Sequence, residues 1–252
     1  MKIIALSFIA IALTANLLEA APDAKSREVR FMALGEPPPF RQIVREGVRY
    51  EQEPAPGSIP PRQVMLNFGS DASETVALHL GRISPPLQAP AGSGPLALRQ
   101  READKAAEPW LKLDRPENGN FLVLLWRDPT ASSWEKARSM ILPDDATARP
   151  PGSIYFANLS SNDVRIIIAS EKLVLAAGTS FARTVPTGVE QPFQILLPDR
   201  SGNWKPLHSS VITQNSGERS LVVVYRADGK SPRRPLKVSV QREPAPTPPL
   251  PD

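Results

Sequence analysis

The sequence predicts an all-β protein of two tandem immunoglobulin-like sandwiches, and three observations carry that expectation. Short apolar runs recur about every 8–12 residues between Gly, Pro, Asn, Asp and Ser, which is strand spacing in a sandwich or barrel. The two halves echo each other: Phe121 to Asp128 (Phe-Leu-Val-Leu-Leu-Trp-Arg-Asp) answers Ser220 to Asp228 (Ser-Leu-Val-Val-Val-Tyr-Arg-Ala-Asp), and Trp110 answers Trp204. Proline, at 29 of 252 residues, is well above its usual ~5% and collects at the borders of these runs.

Residues 1–20 read as a secretory signal peptide. Lys2 is a minimal basic start, Ile3 to Leu18 is apolar apart from Ser7, Thr14 and Asn16, and Ala20 offers a small residue for cleavage. The apolar run is shorter than the ~20 residues of a typical span. The expected mature protein is therefore soluble and extracytoplasmic, periplasmic or secreted, with no transmembrane segment. It contains no cysteine, so its folding relies on burial rather than disulfides, a composition more typical of a bacterial envelope than of an animal secretory route.

Residues 21–60 are expected to be an N-terminal segment of one or two strands and a proline-rich linker. Val29 to Leu34 alternates like a strand and stops at Glu36-Pro37-Pro38-Pro39, while 53–62 carries too many prolines for a central strand or a helix. The first sandwich is expected over 61–147 and the second, its repeat, over 151–242. In the pairing of the halves, Pro61–Phe68 answers Pro151–Asn158, each ahead of a polar turn. Strands of the second half are expected near 153–158, 163–168, 172–175, 180–185, 192–197, 208–213, 220–226 and 236–241. Ser132-Ser133-Trp134-Glu135 fits a capping box and allows one helical turn. Residues 243–252 form a proline-rich tail, read as an extended spacer or chain end. Leu122, Leu124, Leu221, Val223, Trp110 and Trp204 are the expected core.

The chemistry-bearing residues assemble no catalytic set. Without cysteine, thiol nucleophiles, iron–sulfur clusters and cysteine-ligated zinc are excluded. A Ser/His/Asp site would need His79 or His208, and the repeat alignment puts them on non-equivalent strands. Ser209 and Ser210 follow His208 on a strand whose neighbours point to opposite faces. No nucleophile elbow or phosphate-binding glycine loop is present. Asp71, Glu74, Asp144, Asp145, Asp163, Asp199 and Asp228 sit beside turn residues, where such side chains bond their own backbone. No cofactor or metal is expected.

The formal charge is +4, and Arg226, Lys230, Arg233, Arg234, Lys237 and Arg242 crowd the end of the second half. Arg127 and Arg226, at equivalent places, are expected to tie strand ends to carboxylates. The first functional expectation is a non-enzymatic envelope or surface adaptor that contacts another envelope or surface protein. An anionic-glycan-binding module is the alternative; Arg226, Lys230, Arg233, Arg234, Lys237, Trp134 and Tyr155 are the candidate contacts for a protein partner or a glycan. A hydrolase comes a distant third. Nucleic acid is not an expected partner, because no interleaved aromatics offer stacking platforms.

Overall fold

The computed structural model describes residues 27–69, 73–100, 108–228, 232 and 234–246. The expected signal peptide, Lys230, Arg233 and residues 247–252 of the tail lie outside the described residues. Every regular element among the described residues is a strand. The first half contains β1 (Arg27–Leu34), β2 (Gln42–Arg45), β3 (Val48–Glu51), β4 (Gln63–Asn67), β5 (Ser73–Ala77), β6 (Leu87–Ala89), β7 (Gly94–Gln100), β8 (Leu111–Arg115), β9 (Phe121–Arg127) and β10 (Ala137–Pro143). The second contains β11 (Ser153–Asn158), β12 (Val164–Ile168), β13 (Glu171–Leu175), β14 (Ser180–Thr184), β15 (Glu190–Pro198), β16 (Trp204–Thr213), β17 (Glu218–Arg226) and β18 (Leu236–Pro244). All eight strands expected in the second half are present, with ends shifted by a few residues.

Four sheets of four strands result, with orders β5-β4-β7-β8, β10-β9-β1-β6, β14-β11-β17-β18 and β13-β12-β15-β16; β2 and β3 form a separate hairpin. When the hairpin is set aside and strands are counted within each half, both halves have the same pair of orders, 8-7-1-4 and 3-2-5-6. The shared signature is a parallel pair, β1 with β9 and β11 with β17. A parallel pair needs a long crossover, and here the strands between the two partners supply it. An immunoglobulin constant domain instead joins its first, second, fifth and fourth strands in one sheet, so the strand order departs from that expectation.

The strand equivalence also differs from the sequence pairing. Pro61–Phe68 contains β4, which pairs antiparallel with β5 and β7, whereas Pro151–Asn158 contains β11, the parallel partner of β17. The counterpart of β11 is β1. The first half therefore draws its central strand from residues 27–34, ahead of the expected start at 61. Both strands β4 and β11 follow proline and precede a polar turn, which is why sequence matching placed them together.

The sheets stack face to face through three apolar layers. Val64, Leu66, Leu96 and Leu98 of one outer sheet meet Val29, Phe31, Phe121, Val123 and Leu125. Val164, Ile166, Phe193 and Ile195 of the other meet Ile154, Phe156, Val222 and Val224. Between these layers a third core joins the two inner sheets: Met32, Leu34, Leu122, Leu124 and Leu142 against Tyr155, Ala157, Leu221, Val223 and Tyr225. Alternate residues of β9 and β17 thus feed opposite cores, which accounts for strands apolar on both faces. Leu122, Leu124, Leu221 and Val223 are buried as expected, but in the layer between the halves.

Trp110 is half-buried against the first core and donates its indole N–H to the Trp134 carbonyl at 2.6 Å. Trp204 is half-buried too, with the Arg165 guanidinium 4.3 Å above its ring rather than a core around it. The capping-box segment makes no helix. The Trp134 N–H is taken by the carbonyl of Gly57 at 2.7 Å, a long-range bond that replaces a local one.

Candidate interaction site

The two halves differ most between their first and second strands. In the second half residues 159–163 make that connection, while in the first half residues 35–62 do so and include the β2–β3 hairpin. Its turn has Glu46 at φ 53° and Gly47 at φ 78°. Two consecutive left-handed residues make the type I′ turn whose twist suits a two-residue hairpin, and glycine takes that conformation without strain. The hairpin pairs Gln42 with Glu51, Ile43 with Tyr50, Val44 with Arg49 and Arg45 with Val48. It joins no other sheet.

This arm displays apolar side chains. Phe40 is 67% exposed, Val44 65%, Val48 53% and Tyr50 49%. Isolated exposed hydrophobics are ordinary, but here four lie on one short insertion, with Val48 and Tyr50 on one face of the hairpin and Val44 on the other, which makes it the candidate contact element. At the arm's base, Pro37, Pro38, Pro39, Phe40, Glu51 and Ile59 help line a concavity of about 810 Å³.

Both roots of the insertion are fastened. On the N-terminal side the Glu36 N–H donates to Asp228 Oδ2 at 2.8 Å, and the Glu36 carboxylate takes Lys237 at 2.8 Å. Asp228 also accepts Arg127 at 2.7 Å, so Arg127 does tie a strand end to a carboxylate, across the halves. Arg226 instead donates to the Pro129 carbonyl at 3.0 Å. A cleft of about 410 Å³ lies between these residues. On the C-terminal side Gly57 meets Trp134, which is only 2% exposed. The insertion thus leaves the sheets at two fastened points.

At the other end of the inner sheets lies a buried charge cluster. Asp144 accepts Arg30, Arg149 and Arg219 at 2.6–2.8 Å, and Glu243 accepts the same three at 2.5–3.2 Å. Asp144 directly follows β10 and Glu243 lies at the end of β18, so equivalent places in the two halves hold the two carboxylates. Burial opposes the Arg30 charge, but its hydrogen bonds to Glu243 and Asp144 outweigh that and raise its pKa. Burial also pushes the Glu243 pKa up, yet Arg30, Arg219 and Arg149 together hold it below the usual carboxylate range. Arg149 goes the other way: burial, then the neighbouring Arg219 charge, lower its pKa, and its Nε has no hydrogen-bond partner. Three guanidiniums against two carboxylates leave one positive charge in excess.

The residues expected to contact a partner are distributed differently from that expectation. Arg226 and Arg234 are exposed, and Lys237 is engaged with the root of the arm. Trp134 is buried under the insertion. Tyr155, 7% exposed, lies in the core between the halves with Arg149 5.8 Å from its ring and its hydroxyl 3.2 Å from Ser180 Oγ. Neither aromatic presents a face to solvent beside the cations, so the expectation that Trp134 and Tyr155 are contacts is corrected for these two residues. Large amphipathic rings look alike in sequence whether they cover a core or receive a ligand. His79 is exposed on the outer side of the first half. His208 is half-buried in β16, 5.6 Å from the Phe193 ring, and burial followed by the Arg234 charge lowers its pKa. The arm itself was legible only as proline-flanked strand fragments. Its signal is Glu46-Gly47 between Gln-Ile-Val-Arg and Val-Arg-Tyr-Glu, a two-residue hairpin pattern.

No family model matches the chain, and no curated protein matches it. Among solved structures the chain is similar to the Bacillus anthracis TIE protein with a TM-score of 0.22 and 10% identity, over 87% of this chain and 43% of that one. The chain thus spans less than half of that protein, and a likeness of this size carries no argument about fold or function.

Proposed function

We propose that the protein is a non-enzymatic, exported interaction protein: two tandem copies of one β-sandwich, after a cleaved signal peptide, that hold out the β2–β3 arm to a protein partner at the cell envelope or surface. The observation that carries this reading is the concentration of exposed Phe40, Val44, Val48 and Tyr50 on the insertion that holds the β2–β3 hairpin, which the second copy lacks. Function commonly resides in loops grafted on a rigid scaffold. The two roots at Glu36–Asp228 and Gly57–Trp134 supply that rigidity.

The test is a pull-down from the native envelope fraction with tagged mature protein and with a variant carrying Phe40→Ser, Val44→Thr, Val48→Thr and Tyr50→Ser. Stoichiometric protein recovered by the first bait and lost with the second supports the reading. Equal recovery by both baits moves the contact elsewhere on the molecule. Polysaccharide released by salt from both baits would favour the basic residues around Arg226 and Arg234 instead.

A further inference from the structure

The geometry points to a second copy of this chain as the occupant of the free β3 edge, in a closed antiparallel dimer centred on Tyr50. This inference rests on the arm being the interaction element and names one thing that it binds.

The backbone register selects the edge. The Gln52 N–H donates to the Arg41 carbonyl at 2.9 Å, so residues 41 and 52 form a hydrogen-bonded pair of the hairpin. Such pairs alternate along an antiparallel ladder, which makes Ile43–Tyr50 and Arg45–Val48 hydrogen-bonded pairs as well. The N–H and C=O groups of Arg49 and Glu51 must then point away from β2, toward open solvent. An unpaired strand edge is a template for another strand unless something blunts it. β3 carries neither proline nor lysine, and it is not covered by another element of the fold.

The side chains select the partner. When two β3 strands meet antiparallel about a two-fold axis through Tyr50, each Tyr50 faces its copy, and each Arg49 lies directly opposite a Glu51. The outward-pointing backbone groups of 49 and 51 are then the groups that a hydrogen-bonded pair requires. One register satisfies the backbone and pairs both charges. Opposite charges across a ladder stabilise it, and like charges directly opposite destabilise it. Neither Arg49 nor Glu51 has an ion-pair partner among the described residues. The other edge of the arm fails the same criterion. Self-pairing of β2 about Ile43 would set Arg41 against Arg45 twice and place Gln42 against Val44. A two-fold β3 contact closes on itself, so it yields a dimer rather than a growing chain.

The experiment is sedimentation of the full mature chain over a concentration series, with three charge variants. The wild type is expected to dimerise. Arg49→Glu alone puts four carboxylates across the two-fold axis, and Glu51→Arg alone puts four guanidiniums there; each should weaken dimerisation by on the order of tenfold or more. The double variant Arg49→Glu/Glu51→Arg should dimerise again, and an equimolar mixture of the two single variants should form a heterodimer. That restoration cannot arise from a variant that merely folds poorly. A second measurement uses the lack of native cysteine: Tyr50→Cys should form an intermolecular disulfide on mild oxidation, since facing non-hydrogen-bonded residues bring their Cα atoms to about 4.5 Å, and Val44→Cys should not. A monomer at all concentrations, a dimer indifferent to the charge reversals, or species that keep growing with concentration would each overturn the inference. In any of those cases, retained capture of a foreign protein by the apolar arm would leave the adaptor reading standing.

Discussion

Asp144 holds the joint between the two halves under unusual electrostatic demand. Its carboxylate is buried and receives three guanidiniums, two of which, Arg149 and Arg219, are themselves buried. Removing one member of a buried ion cluster leaves its partners desolvated and unpaired, which costs about 3–5 kcal/mol. Asp144→Ala should lower chemical-denaturation stability by about that amount. Arg149→Met should cost distinctly less, because it removes the cluster's excess charge together with an unpartnered Nε; an equal loss in both variants would show that packing, not charge balance, governs the joint. Glu243 supplies the pH dependence. Its folded-state pKa is lowered, so the unfolded chain binds its proton first as pH falls. Its stabilisation is therefore present above the unfolded value of about 4.3 and is lost as pH drops through the lower folded value. The melting temperature of the wild type should fall progressively as the pH drops below about 5, and Glu243→Gln should start lower at pH 7 with a shallower acid decline.

At the scale of elements, the β2–β3 hairpin is separable and the inner strands are not. The hairpin pairs with nothing but itself and all its strand side chains except the half-buried Ile43 are exposed, so replacing Arg41–Gln52 by a short Gly-Ser turn should change global stability by no more than about 0.5 kcal/mol. A larger loss would mean that the arm is part of the folding unit. Hydrogen exchange should likewise show its amides opening far more readily than those of β9 or β17. The sequence revealed these elements unequally. In the second half most of β11 to β18 follow Gly, Pro, Asn, Asp or Ser and carry apolar side chains at strand spacing, so their positions were readable. In the first half the insertion separated β1 from β4 and hid the parallel partner of β9, since nothing local in Arg27–Leu34 says which distant strand completes it. The contact residues were harder still. Trp134 and Tyr155 looked available because burial between sheets depends on the partner sheet, and the charge cluster joins positions 30, 144, 149, 219 and 243 that no local pattern connects.

At the scale of the molecule, the layer between the inner sheets makes the two halves one cooperative body. Met32, Leu122, Leu124 and Leu142 on one side and Leu221 and Val223 on the other are almost wholly buried, and side chains of this kind contribute ~1.5–3 kcal/mol each on full burial. Unfolding by denaturant should therefore follow a single transition, with fluorescence and circular dichroism coinciding. The isolated segment 151–246 should bind a hydrophobic dye and self-associate, since it bares Tyr155, Leu221, Val223 and Tyr225; two separate transitions, or a well-behaved isolated segment, would contradict the shared core.

The parallel pairing of β1 with β9 also sets a schedule for folding. Residues 29–34 dock beside 121–126, so β1, the first strand among the described residues, must wait for almost the whole of the first half before it gains that neighbour. The second half repeats the delay between β11 and β17. Contacts so remote along the chain make folding slow for a given stability, and a partly emerged chain would carry unsatisfied strand edges throughout that wait. Such a protein is most exposed to misassembly while it is being made, and a strand-by-strand dependence on a chaperone would be felt first at β1.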